Sequence, residues 1–205
     1  MTGKPQFDEA AVVAAALEVF WRHGYAAASI QQLTEATGLS RSSLYQRFQD
    51  KDGLFREALA AYTARVLQRA GAAAVASTAR GRLEALLREF LPKEGRAKRP
   101  PGCLLARSCA EMADLLPAGR ALVLDGLGRQ RAILVALLRG ATANGELPPD
   151  ADVDALSWHF LGVSQSLLNL PQAGAKPEEL RRVVDVAMTA WPLEKALKAS
   201  KPAKR

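Results

Sequence analysis

The run TGLSRSSLYQRFQDKDGLF, residues 37–55, sets Arg41, Ser42, Ser43, Tyr45, Gln46, Arg47 and Lys51 among the apolar anchors Leu39, Leu44 and Phe48. Such a face suits a polyanion, because carboxylates, which phosphates would repel, are missing from residues 41–49. Gln46 and Arg47 have the side chains that pair with adenine and guanine edges, while Ser43 and Tyr45 suit phosphates or a thymine methyl. Lys51 falls just inside the start of a helix, where its charge adds to free amides and to the positive end of the dipole. Ser29 stands at another helix start and serves either as a phosphate contact or as an N-cap. Enzyme chemistry has no comparable constellation here. The chain holds 2 histidines, no metal-ligand spacing, no phosphate-cradling glycine loop and no nucleophile beside a base, so neither catalysis nor a cofactor is expected.

The elements that must position these residues read as helices throughout, and the fold class is all-α. Val13, Leu17, Phe20, Trp21 and Gly24 recur at three- and four-residue intervals, predicting a first helix from about Phe7 to His23, closed by Gly24. Ser29 with Gln32 forms a capping-box pattern that opens a second helix through Ala36. Gly38 turns the chain, Ser40 caps a third helix over Arg41 to Phe48, and Asp50 caps a long fourth helix from Lys51 to about Ala76. Two short helices about a tight glycine turn are a helix-turn-helix, whose second helix enters the major groove.

Beyond the head, the apolar stripe Leu83, Leu86, Leu87, Phe90 and Leu91 predicts a fifth helix that Pro92 stops, followed by an exposed basic loop at 93–102. A sixth helix is expected from near Gly102 to before Pro117. A seventh is expected over 119–139, weakened at Gly126 and Gly128. Asp152 or a neighbour caps an eighth with a wide apolar arc, and Pro177 opens a ninth that reaches Trp191. The expected organisation is a helix-turn-helix domain at 1–50, a helical ligand-binding and dimerisation body at 51–195, and a disordered basic tail at 196–205.

Of these residues, GYAAASIQQLTEATGLSRSSLYQRFQDKDGLF resembles the DNA-binding head of TetR-family transcriptional regulators. Its Gly-aromatic turn, capped helix, Gly-Leu-Ser turn, Leu-Tyr-x-x-Phe helix and helix-opening lysine stand at the family's spacing. Three positions depart from the pattern: Ala28 stands for a frequent Thr, Ser42 for the usual Gly, and Arg47 for a frequent His. The resemblance implies a variable body that binds a small-molecule effector and a homodimer paired through its last two long helices. It also implies a near-palindromic double-stranded operator, bound most often as a repressor. The resemblance implies a pocket in the body, and Phe90, Cys103, Met112, Trp158, His159 and Gln165, apolar and aromatic residues with a few polar ones interspersed, suit its lining as candidate effector contacts.

GCLL at 102–105 resembles the start of the sixth helix in a subset of these regulators, some of which sense electrophiles or oxidants, so a redox or electrophile switch through Cys103 is a second reading. If both cysteines are helical, Cys103 and Cys109 are roughly 10 Å apart, too far for a disulfide without local unfolding. The same helices would also serve an activator, a helical small-molecule carrier or a protein adaptor. An adaptor would leave the Ser/Arg/Gln face unexplained.

The net charge of +7 carries little weight, since residues 1–60 hold 6 Lys/Arg against 7 Asp/Glu while 61–100 hold 9 against 3. No apolar run is long enough to span a bilayer and the start lacks an export-signal pattern, so no membrane partner and a cytoplasmic location are expected.

Overall fold

Asp8 starts the first helix by accepting hydrogen bonds from the amides of Ala10 and Ala11, at 3.0 and 3.3 Å. The computed structural model describes residues 7–72, 76–92, 100 and 102–192. Among them the chain forms helices α1 (Glu9–Ala27), α2 (Ile30–Thr37), α3 (Arg41–Phe48), α4 (Lys51–Ala72) and α5 (Ala79–Glu89), then α6 (Leu104–Ala110), α7 (Pro117–Ala143), α8 (Val153–Asn169) and α9 (Pro177–Ala187). No strand occurs among the described residues, in accord with the all-α expectation. Most of the basic stretch 93–102 and the tail 196–205 lie outside them.

Local chemistry explains the boundaries. Ser29 accepts from the Gln32 amide at 3.1 Å while Gln32 accepts from the Ser29 amide at 2.9 Å, the reciprocal cap that opens α2. Gly38, at φ +70°, ends α2 in the left-handed region. Asp50 accepts from the Gly53 amide at 2.7 Å and so starts α4. Two expectations are corrected. The sixth helix is only Leu104–Ala110, with turns up to Leu115, and Cys103 is its N-cap residue without a side-chain cap bond. The seventh is longer than expected because Pro117 occupies its first turn, where a missing amide costs nothing, and because Gly126 does not weaken it.

Gly126 is buried on α7 against Leu105 and Thr63. A Cβ there would lie 2.8 Å from Leu105 Cδ2 and 3.1 Å from Thr63 Oγ1. The absent side chain lets α7 approach α4 and α6, and that packing offsets the poor helix propensity. Gly128 faces open space and has no such role.

Two apolar cores stack along α4 and α7. The first joins the head to the base of the body: Leu17, Phe20, Leu33, Leu44 and Phe48 pack with Leu54, Phe55 and Leu59 of α4, Leu104 and Leu105 of α6, and Val123 of α7. The second gathers Leu83 and Leu87 of α5, Leu134 and Leu138 of α7, Phe160 and Leu167 of α8, and Leu180 and Val184 of α9. Helices α4 and α7 contribute to both and so join the two cores through close-packed side chains.

Candidate nucleic-acid interface

Helix α3 is held by its anchors and presents the remainder outward. Leu44 is fully buried, Phe48 is 4% exposed and Leu39 is half-buried against the same core, whereas Arg41, Ser42, Tyr45, Gln46 and Arg47 are exposed and Ser43 is intermediate. The serines also cap one another. Ser40 Oγ accepts from the Ser43 amide at 3.1 Å and lies 2.9 Å from the hydroxyls of both Ser42 and Ser43, which orders the start of the helix. The Arg41 guanidinium sits 5.9 Å from the Tyr45 ring centre, leaving both on the outer surface.

Arg47 turns back toward α1. Its Nε donates to Glu9 Oε2 at 2.7 Å, its Nη2 pairs with Glu9 Oε1, and its guanidinium lies 5.0 Å from the Phe48 ring centre. The hydrogen bond from Arg47 holds the Glu9 carboxyl below its ordinary range, and the Arg47 guanidinium is raised correspondingly. Sequence patterning missed Glu9, because nothing in a linear pattern brings residues 38 apart into a bidentate pair.

Lys51 closes the opposite side. Its Nζ donates to the Ala26 carbonyl at 3.2 Å and stands 4.8 Å from the Tyr25 ring centre. Burial pushes its pKa below the ordinary lysine value, and the Glu111 carboxylate opposes that shift. The ammonium thus rests on the carbonyl three residues before Ser29, whose hydroxyl oxygen is engaged in the α2 cap.

The turn that seats Lys51 is fixed by α6. Gly24 breaks α1 at φ +83°, and a Cβ there would come within 2.2 Å of Glu111 Oε1. This carboxylate accepts from the Tyr25 amide at 2.7 Å. Trp21 Nε1 donates to the Gly102 carbonyl at 3.1 Å, and Arg107 donates to the Trp21 carbonyl at 3.3 Å. Helix α6 and its flanks are therefore fastened to the end of α1 at three points. Burial, followed by the charges of Asp52 and Asp50, raises the Tyr25 phenol.

Cys103, at the other end of α6, lines a narrow cavity of about 30 Å³ between α4, α5, α7 and α8. Three of the six candidate effector contacts, Phe90, Cys103 and Gln165, meet there, together with Gln130 and Ser164, which sequence patterning missed. The other three lie elsewhere. Met112 packs against the head's core, while Trp158 is 55% exposed beneath the Arg131 guanidinium, 4.4 Å from its ring centre. His159 is exposed beside Phe160, because the wide apolar arc of α8 divides between core and surface. Cys103 is 2% exposed, and burial raises the Cys109 thiol, with the neighbouring Cys103 adding to the shift. Among the described residues no group of three His, Cys, Asp or Glu is placed to hold a metal ion, and no helix is long and apolar enough to cross a membrane.

Comparison with known proteins agrees with this geometry. Residues 12–58 match the family described as bacterial regulatory proteins, tetR family, and residues 79–187 match the tetracyclin repressor-like C-terminal domain. The chain is 29% identical over 204 residues to the HTH-type transcriptional repressor ComR of Escherichia coli strain K12, covering 93% of this chain and 92% of that protein. It is 32% identical over 155 residues to the transcriptional regulator AcuR of Cereibacter sphaeroides, covering 73% of this chain and 69% of AcuR. Among solved structures, a cysteine-substituted form of the TetR family transcriptional regulator CifR, complexed with a 26 bp double-strand operator DNA, superposes with a TM-score of 0.79 at 31% identity. That alignment covers 93% of this chain and 100% of CifR.

Proposed function

Because this chain belongs to the TetR family of bacterial regulatory proteins and is a DNA-binding transcriptional regulator, we propose that it acts as a homodimeric repressor, released from a near-palindromic operator by a small molecule. The observation that carries this reading is the exposed face of α3, with Leu44 and Phe48 buried behind it and the Lys51 ammonium seated at the start of α4. Residues 1–50 would be the reading head and 51–195 the sensing and pairing body.

Within that head, Gln46 and Arg47 read base edges, while Arg41, Ser42, Ser43, Tyr45, Ser29 and Lys51 hold the phosphates. Arg47 must exchange Glu9 for a base or phosphate when DNA arrives, so Glu9 is a competitor for that contact. Dimerisation is supported by apolar surface left open on the body. Leu124 is 61%, Trp158 55% and Val186 68% exposed, and the first two border a groove between α7 and α8. Patches of this kind mark protein contacts. A two-fold pair sets its recognition helices about one DNA turn apart, roughly 34–36 Å.

Helix α6 supplies the connection from cavity to head. A molecule that displaces Cys103 at one end moves Glu111 at the other, and with it the Tyr25 turn against which Lys51 rests. Shifting a dimer from 1:99 to 99:1 between binding and non-binding states takes about 5.5 kcal/mol of differential affinity, within reach of two buried ligands. The burial of Cys103 and the raised Cys109 thiol favour non-covalent occupancy of the cavity over a thiolate switch.

The test is fluorescence anisotropy with labelled duplex from the protein's own upstream region across a salt series. Binding should weaken linearly in log–log form as salt rises. Failure to bind any upstream fragment at low salt would overturn the reading.

A further inference from the structure

We propose that Gln49 is a positioning residue for DNA binding: its backbone, held at positive φ, fixes the angle between α3 and α4, so that the recognition face and the Lys51 ammonium meet one duplex together. This rests on the reading of α3 as the recognition helix and names what aims it.

Only Gln49 and Asp50 separate the end of α3 at Phe48 from the start of α4 at Lys51. With two soft dihedral angles per residue, so short a link sets the direction in which one helix leaves the other. Gln49 takes φ +71° and ψ −55°, and among the described residues it is the one non-glycine residue at positive φ. The Asp50 amide donates across it to the Phe48 carbonyl at 2.9 Å, which closes a γ-turn centred on Gln49. A γ-turn with positive φ at its centre is rare and strained.

The surroundings hold this turn from both sides. The Gln49 amide donates to the Tyr45 carbonyl at 2.9 Å, the last bond of α3. On the α4 side, the Asp50 carboxylate accepts from the Gly53 amide at 2.7 Å and the Asp50 carbonyl accepts from the Leu54 amide at 3.3 Å. The Phe48 carbonyl is pressed against Gly53, where a Cβ would lie 1.9 Å from its oxygen, a backbone atom that no rotamer change can move. Phe48, Leu54 and Phe55 are buried in one core, so the two helices cannot part to relieve the link.

Strained backbone persists where its surroundings over-determine it, and it gathers at sites that must be pre-organised. Glycine would adopt this conformation freely. A residue with a Cβ is disfavoured there, but it also loses most of the neighbouring conformations that glycine would visit, so the link is stiffer for it. The Gln49 side chain is exposed. What the turn draws from Gln49 is therefore its Cβ and backbone rather than packing of its amide.

The experiment uses the full chain with Gln49→Gly, Gln49→Ala and Gly53→Ala. Anisotropy is measured on the tightest-binding duplex from the protein's own upstream region and on a scrambled duplex of equal length, alongside urea unfolding. Gln49→Gly should unfold at no lower urea concentration than the unsubstituted protein yet bind the upstream duplex about fivefold more weakly, because the freedom gained by the link is lost again on DNA. Gln49→Ala keeps the Cβ and should bind it as the unsubstituted protein does. Scrambled duplex, held through phosphates, should bind all of them alike. Gly53→Ala should lose most of the preference for upstream over scrambled duplex. Unchanged upstream binding by Gln49→Gly overturns the inference. So does an equal loss in Gln49→Gly and Gln49→Ala, which would put the amide itself on DNA, or a loss matched by a lower urea midpoint, which would leave a folding role alone. The Gln49 pair decides the matter even where Gly53→Ala does not fold. An unsubstituted protein that binds both duplexes equally sinks the recognition-helix reading and this inference with it, whereas a preference that survives Gln49→Gly in full sinks the inference only.

Discussion

Lys51 and Arg47 are close in the chain but differently committed, and their variants should behave differently. Lys51 rests on the Ala26 carbonyl and the Tyr25 ring, a site suited to one phosphate. Lys51→Ala should weaken binding to operator and to unrelated duplex by similar factors and lower the salt slope by about 1, read by anisotropy at several salt concentrations. A change in base preference would place Lys51 at a base edge instead. Arg47 is spoken for by Glu9, so Glu9→Ala should tighten operator binding several-fold at low salt by freeing the guanidinium and removing a carboxylate from the phosphate side. The gain should vanish in the Glu9→Ala, Arg47→Ala double variant, a cycle that isolates the competition.

Helix packing turns on single residues within elements, and two glycines of α7 make opposed predictions. Gly126→Ala drives a methyl group into Leu105 and Thr63 and should cost about 1–3 kcal/mol of stability in urea unfolding. Gly128→Ala meets nothing within 4 Å in its own chain but lines the groove proposed for pairing, so its gain of about 0.5–1 kcal/mol from helix propensity is expected in a protomer kept monomeric. Helix α6 is tested at its head end. Glu111→Ala removes the acceptor of the Tyr25 amide, whose hydrogen-exchange protection should fall selectively while α8 amides keep theirs. Unchanged Tyr25 protection would mean that α6 does not hold the turn.

Assembly is decided at the scale of the whole molecule, where the two cores stack along α4 and α7 while Leu124, Trp158 and Val186 stay exposed, the surface proposed above for a second copy. Replacing Leu124 and Trp158 together by Asp should yield a monomer in sedimentation while the helical circular dichroism persists, because both side chains are more than half exposed. Such a monomer should bind a half-site as weakly as a full operator and lose the advantage of two heads on one duplex. Retained dimerisation would move the pairing surface elsewhere, toward α9 and Val186.

The helices of the head were legible in the sequence because capping and amphipathic spacing are local. Ser29 with Gln32, Gly38, and the anchors Leu44 and Phe48 stand within a few turns of what they contact. The polar face of α3 was legible for the same reason, and so was the family. Three matters were decided only by tertiary structure: the bidentate hold of Glu9 on Arg47, the reach of Glu111 into the Gly24 turn, and the cavity that joins Gln130 to Gln165 while leaving Trp158 and His159 outside. Each of these depends on contacts between helices far apart in the chain. A period of about 3.6 residues states which side of a helix is apolar, but not which neighbour that side will meet.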